Sequence, residues 1–551
     1  TKQTAPEKAD STGKSADEIV QGLSLEEKAA QMTMITVYSQ DAYQMEKYGF
    51  GSVLSSMSET TTAEQWRQIV AGFQEQALSS SGGIPFVYGQ DDVHGVNYCF
   101  GAVIFPHNIG IGAANDPELT YQMGLAVADE AKLCNMLWNY SPCVAQAVDP
   151  RWGRTYESYS SELDIIKSLS VSYVKGLNDG GILATAKHFF GDGNAVYGTG
   201  EDSDVDRIID RGDAALSDEE INGLLSVYQE LVDAGVGSVM VNHGSVNGVK
   251  MHENGKYISY LKNEMGFDGF VCCDWNSIDN ISGSSRKEKV IKSVNAGVDM
   301  LMQVDSAKEC MGYIVDGVNE GSIPAERVDD AAKRIIQAKI NLGLFDDPML
   351  ENLETKQSET GSAEYRALAE KLVEKSLVLA KNDNNILPLK SGTKVYVTGR
   401  AADNIRAQCG GWTLSWRGSD NVSGGTTILS GLKEVGAEQG IEIITDKARA
   451  DEADVVLLCI GEQAYAEWEG DTEDLSITGK LALGGNLDYI NEAKALGKPT
   501  VACIVAGRQV IVKEYADSWD SVVMCYLPGT EGRGIANVLM GKANFRGKLP
   551  M

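Results

Sequence analysis

Residues 268–276 read DGFVCCDWN, an apolar run bounded by the turn pair Asp268-Gly269 on one side and by an acid, an indole and an amide on the other. A short run of aromatic, β-branched and thiol side chains between such breakers reads as a buried strand. The pattern recurs in IPFVYGQ (84–90), GILATAKHFF (181–190), GVGSVMVN (235–242) and VDMLM (298–302), alternating with helical patterns up to about residue 345. Such alternation predicts parallel strands joined by helices. Several runs end in polar residues: Asp91, Lys187-His188, Asn242-His243 and Asp274. In a (β/α)8 TIM-type barrel the catalytic groups gather at the carboxyl ends of the strands, so the acid that closes DGFVCCDWN stands where chemistry is expected.

At 551 residues the chain exceeds a single hydrophobic core. A second α/β unit is predicted from VYVTGR (395–400), EIITD (442–446), DVVLLCIGE (454–462), PTVACIVAG (499–507) and SVVMCYLPG (521–529). The resulting division is a polar tail over 1–20, a barrel over 21–345, a linker over 346–375 that contains ENLETKQSETGSAE, and an α/β sandwich domain over 376–551. Order is expected to begin at SLEEKAAQM, where Ser24 caps a helix and Glu27 closes the capping box.

The 48 basic and 78 acidic residues give a formal charge of −30, which repels phosphate backbones and anionic membranes. Nucleic acid is therefore not expected as a partner, and a neutral or cationic one is favoured. No run of eighteen apolar residues predicts a membrane span. The ten cysteines show no C-x-x-C pair, and the five histidines share no metal-ligand spacing, so buried reduced thiols and no metal are expected. The small-residue-rich amino terminus is read as the linker of an exported protein, secreted, periplasmic or cell-surface, in preference to a cytoplasmic one.

A carboxylate nucleophile needs a second carboxyl that can give a proton to a leaving oxygen. Candidates cluster in GEQAYAEWEGD (461–471): Glu462, Glu467, Glu469 and Asp471, among which spacing does not choose. Trp275 offers a flat apolar face, and Asp91, Arg154, Lys187 and His188 belong to other strand ends. His94 and His107 are read as structural.

From about Ser24 to its last residue the chain resembles glycoside hydrolase family 3, the β-glucosidase and glucan exohydrolase family. GQDDVHG, DPRWGRTYES, AKHFFGDG, NGVKMH, GFDGFVCCDW, AGVDMLM, GLFDDP, SLVLAKNDNNILPL, GGWTLSW, GEQAYAE and LPGTEGRGIANVLMG occur in the family's order. The resemblance implies a (β/α)8-type barrel followed by an α/β sandwich, with the active site between them and no cofactor. It places the nucleophile on Asp274, the acid/base on Glu467, and the sugar-binding aspartate on Asp91 rather than Asp92. Glu462 is then structural. Arg154, Lys187 and His188 match groups that hold sugar hydroxyls, and Trp275 and Trp416 the indoles that clamp the next sugar.

The activity implied is that of an exo-acting, retaining β-glucosidase on β-linked gluco-oligosaccharides, with glucose as product. An acid that accepts bonds from two neighbouring hydroxyls, as Asp91 can, discriminates against sugars lacking them, which favours glucose over xylose. A β-xylosidase or mixed enzyme is the alternative, and a carbohydrate-binding protein without catalysis the alternative of another class. The variant that releases N-acetylglucosamine carries a P-G-H-G stretch, where this chain has Phe190-Gly191-Asp192-Gly193. His243 stands where plant members have a tyrosine and Asn280 where they have an arginine. Ala147 and Thr155 replace two cysteines, so a disulfide of those enzymes is not expected. Members of the family usually continue beyond the equivalent of GKLPM.

Overall fold

The computed structural model describes residues 13–201 and 208–551. The first half is built on β1 (Met34–Thr36), β2 (Ser52–Leu54), β3 (Val87–Gln90) and β4 (Trp138–Asn139), parallel and side by side in that order. Parallel bridges at Trp138–Leu183 and Cys143–Lys187 carry the ring on to β5 (Thr185–Phe189). After the short β6 (Asp213–Ala214), β7 (Ser238–Val241) pairs with β5 on one side and with β10 (Phe270–Cys272) on the other. β8 (Ser245–Val246) and β9 (Val249–Lys250) form with β6 a small separate ribbon. Residues 300–301 bridge to Cys272 and, through Leu301, to Thr33. Among the described residues, eight parallel segments thus close on themselves as the TIM-type barrel expected.

The helices between strands pack on the barrel through sequence-coded contacts. The helix Pro117–Leu133 and the helix Leu163–Asp179 approach so closely that a Cβ on Gly124 would lie 2.6 Å from the Tyr173 carbonyl oxygen and 2.9 Å from the Gly176 Cα. Capping boxes at Thr62/Gln65 and Ser217/Glu220 fix the starts of two further helices.

The second half is a six-stranded sheet in the order β11-β16-β15-β14-β12-β13. It comprises β11 (Val378–Asn382), β12 (Lys394–Thr398), β13 (Glu442–Ile444), β14 (Val455–Gly461), β15 (Thr500–Val505) and β16 (Ser521–Met524). Only the edge strand β11 runs antiparallel, to β16. The central strands β14 and β15 are buried along their whole length, as continuous apolar runs covered by helices on both faces should be.

Two boundary expectations are corrected. The stretch assigned to the polar tail contains a helix, Ala16–Gln21, started by a Ser15/Glu18 capping box; Ala16 and Val20 bury against the helix Ala325–Asn341. The rest of that tail, residues 1–12, lies outside the described residues. The stretch assigned to the linker carries most of the helix Ala363–Ser376. Its approach is pinned to the barrel because Asp129 accepts from the Lys356 and Gln357 N–H groups and Glu130 from that of Gly361. Polar composition alone hid both helices, since their apolar faces are only a few residues wide.

Candidate active site

A cavity of about 480 Å3 opens between the carboxyl ends of the barrel strands and the loops of the second domain. Its inner end is charged, lined by the buried Arg154, Lys187, His188 and Asp274 and the half-buried Asp91. Its outer end carries Trp275, Trp416, Trp468, Tyr38 and Met57, the last two 54% and 70% exposed. Asp274, Glu467, Asp91, Arg154, Lys187, His188, Trp275 and Trp416 all line it, whereas His243 does not and stands beside Asp274, its Nε2 3.1 Å from Oδ2.

Asp274 follows β10 and is held from several sides. Its own N–H donates to His252 Nε2 at 3.0 Å, and Oδ1 accepts from the Trp275 N–H at 2.7 Å. His243 Nε2 lies 3.1 Å and His188 Nε2 3.7 Å from Oδ2. Burial works against the ionised form, but His243, His188 and Arg154 outweigh it and hold the carboxyl well below the usual carboxylate range. Burial pushes His243 itself down to about 3, so it faces Asp274 as a neutral imidazole. With Nδ1 turned to the Ser277 hydroxyl, the tautomer that serves Asp274 is the one protonated on Nε2.

Glu467 comes from the other domain. It opens the short 3-10 helix Glu467–Gly470 with φ 49, a left-handed conformation that a non-glycine residue holds only when its surroundings impose it. Oε1 accepts from Arg154 Nη1 at 3.2 Å, and Oε2 lies 3.8 Å from Arg211 Nη2. Burial nonetheless dominates the two guanidinium groups, and the Glu467 carboxyl is raised above the ordinary glutamate value.

The inner end is a network of paired charges. Lys187 Nζ donates to Asp91 Oδ1 at 2.9 Å. Arg154 grips Glu157 with Nε and Nη2 and reaches Glu467 with Nη1. The Trp412 indole donates to Glu157 Oε1 at 2.8 Å. Trp412 and Leu414 both have positive φ, and Leu414 N donates to the Asn97 carbonyl, which fixes the loop that presents Trp416. Trp416 packs on Trp468 with ring centroids 5.0 Å apart, and the Arg211 guanidinium lies 5.1 Å from the centre of Trp468.

The four acids that spacing left open occupy different places. Glu462 is buried against Arg508 and the Tyr465 hydroxyl, outside the cavity. Glu469 pairs with the exposed Arg417 at the rim. Asp471 accepts only backbone N–H bonds among its described contacts, leaving Glu467 as the one that faces the cavity. Asp92 is buried away from the cavity, its carboxyl raised well above the ordinary range by burial and by Asp91. Asn280 does not line the cavity; a guanidinium reaches it instead from Arg211, which sequence reasoning missed. His94 and His107 stack at 3.6 Å; His94 Nε2 meets the Trp412 carbonyl and His107 Nε2 the Gly411 carbonyl. The ten cysteines are free and buried.

One grouping was not foreseen: donor atoms of Cys143, His188 and Asp192 lie within 4.8 Å of one another. His188 Nδ1 and Asp192 Oδ2 bond at 2.8 Å, which steadies the imidazole that faces Asp274, and burial pushes the Cys143 thiol up. Among the described residues no helix is long and apolar enough to cross a membrane.

Residues 24–338 match the glycosyl hydrolase family 3 N terminal domain and residues 377–551 the C-terminal domain of the same family. The chain belongs to glycosyl hydrolase family 3. It is a glycoside hydrolase with that family's two-domain fold. It is 30% identical to a lysosomal beta glucosidase of Dictyostelium discoideum, over 97% of this chain and 71% of that protein. The structure of an exo-1,3/1,4-beta-glucanase from a Pseudoalteromonas species superposes with a TM-score of 0.88 at 32% identity, covering 98% of this chain and 71% of that one. A mutant beta-glucosidase from Listeria innocua in complex with laminaribiose superposes at 0.83 with 27% identity, covering 97% and 76%.

Proposed function

We propose that this family 3 hydrolase is an exo-acting, retaining β-glucosidase that removes single glucose units from the non-reducing ends of β-linked gluco-oligosaccharides. The observation that carries the reading is a pair of buried acids in one cavity, supplied by different domains, whose surroundings drive their proton affinities apart. Two carboxyls so tuned divide the work of double displacement.

Asp274, its proton affinity held low, attacks the anomeric carbon as that carbon's bond to the leaving oxygen breaks, and Glu467, its proton affinity raised by burial, gives its proton to that oxygen. In the second step Glu467 takes a proton from water, whose oxygen displaces Asp274 and frees the sugar. Asp91 and Lys187, already paired, present an acceptor and a donor to adjacent hydroxyls at the buried end; Arg154 and His188 complete that end. A cavity whose charged end is buried and whose rim is exposed admits a chain end rather than the middle of a polymer, which favours exo action. Trp275 and Trp416 at the outer half bind the leaving sugar by apolar contact, which tolerates several linkages.

Related proteins named for laminaribiose and glucose complexes support a glucosyl substrate. A relative named beta-xylosidase, from Formosa agariphila, is 29% identical over 85% of this chain and 69% of its own length. Comparing kcat/KM on aryl β-glucoside and aryl β-xyloside decides between the sugars. Proton NMR of the first product tests the stereochemistry: β-glucose should appear before mutarotation, and an initial α anomer would overturn the double displacement.

A further inference from the structure

The Asp471 carboxylate is bonded by four backbone N–H groups from the opposite domain. Oδ1 accepts from Gly153 at 2.8 Å, and Oδ2 accepts from Ile208 at 3.0 Å, Ile209 at 2.8 Å and Asp210 at 2.8 Å. Three consecutive N–H groups converging on one oxygen form an anion-binding concavity of the backbone. The residues that follow these donors are Arg154 and Arg211, the two cations that face Glu467. Asp471 itself stands one position beyond the short helix that Glu467 opens. The two loops meet without space to spare: a Cβ on Gly153 would lie 2.0 Å from the Glu467 carbonyl oxygen and 2.8 Å from the Asp471 nitrogen.

We infer that Asp471 is a positioning residue for acid/base catalysis: a clamp across the domain boundary that sets Arg154 and Arg211 against Glu467. It touches neither the cavity nor a reacting atom. The inference rests on the reading of Glu467 as acid/base, and it assigns to Asp471 the alignment of that group with both guanidinium partners. A carboxylate suits the task because both its oxygens accept, so one side chain can gather N–H groups from two separate loops. An amide of the same shape can accept at only one end, and its NH2 would face donors at the other.

Asp471→Asn should therefore act as a fault in proton transfer rather than in binding or folding. The expected result is a fall of about 10²-fold in kcat/KM on laminaribiose, whose leaving group needs a proton, with a change below about threefold on 2,4-dinitrophenyl β-glucoside, whose leaving group does not. Equal losses on both substrates, or no loss on either, would overturn the clamp. Hydrogen exchange on the wild-type protein tests it without turnover and stands even where Asp471→Asn fails to fold. The amides of Gly153 and residues 208–210 should exchange as slowly as those of β14, and exchange at the rate of exposed loops overturns the proposal. Wild-type protein inactive on both glucosides, with these amides protected, would refute the substrate reading and support the clamp.

Discussion

Asp274 and Glu467 have opposite electrostatic settings although both are buried. Asp274 has two imidazoles within 3.7 Å, and with the field of the Arg154 guanidinium they outweigh its desolvation. Glu467 also faces two guanidinium groups, at 3.2 and 3.8 Å, yet Asp210 and Asp274 oppose them and burial prevails. The pH profile of kcat/KM should be a bell whose acidic limb lies below the ordinary aspartate value of 3.8 and whose alkaline limb lies above the ordinary glutamate value of 4.5. Activity is lost on the acidic side as Asp274 gains a proton and on the alkaline side as Glu467 loses one. Glu467→Gln should abolish the alkaline limb; a limb unchanged in that variant would assign the proton elsewhere. Glu467→Ala should lower kcat/KM on disaccharides by about 10²- to 10⁴-fold. Asp274→Asn should remove turnover altogether, and a 2-fluoro glucoside should label Asp274 and no other residue, as peptide mass mapping would show.

At the scale of elements, the site is made where loops of two domains come into backbone contact. Gly153 is the tightest point, and Gly153→Ala should displace the Glu467–Gly470 turn, since the atoms in the way are backbone. A displacement of about 1 Å can cost on the order of 10²-fold in rate, so a comparable fall in turnover is expected. Wild-type rates in Gly153→Ala would show that the loops have room to part. The sequence made the strand ends legible because apolar runs that stop at Asp91, Lys187 and Asp274 need only local pattern to be read. Glu467 could be separated from its three acidic neighbours only through the family resemblance, because the partners that distinguish them lie far away in the chain. Arg211 gave no signal: nothing local marks a residue whose role is set by a carboxylate in the other domain. Glu157 was within reach, being three residues beyond Arg154, a spacing that lets opposite charges meet. Trp412 was overlooked beside Trp416 because two indoles four residues apart do not reveal which one turns inward.

The molecule as a whole buries neutral histidines. His94 is lowered to about 4, His243 and His252 to about 3, and His107 well below its ordinary value, with burial the first cause in each case. Below the unfolded value of 6.5 the unfolded chain takes up protons that the native one refuses. Each such histidine therefore withdraws about 1.4 kcal/mol of stability per pH unit as pH falls from 6.5 towards its native value. Buried Asp92 and Glu130, the latter raised to about 7, act with the opposite sign. A single replacement isolates the histidine contribution: His107→Gln should make the slope of Tm against pH shallower between 6.5 and 4.5, whatever its effect on Tm itself. Parallel curves for the two proteins would refute that account. The fold class was legible from strand and helix alternation, whereas the helices within the supposed tail and linker were not, because they are ordered by docking on the barrel rather than by their own composition. The division of labour between domains also has a consequence for biosynthesis. The barrel, with Asp274 and the residues that line the inner end of the cavity, leaves the ribosome well before Glu467 does, so a half-made polypeptide would carry one acid of the proposed pair without the other.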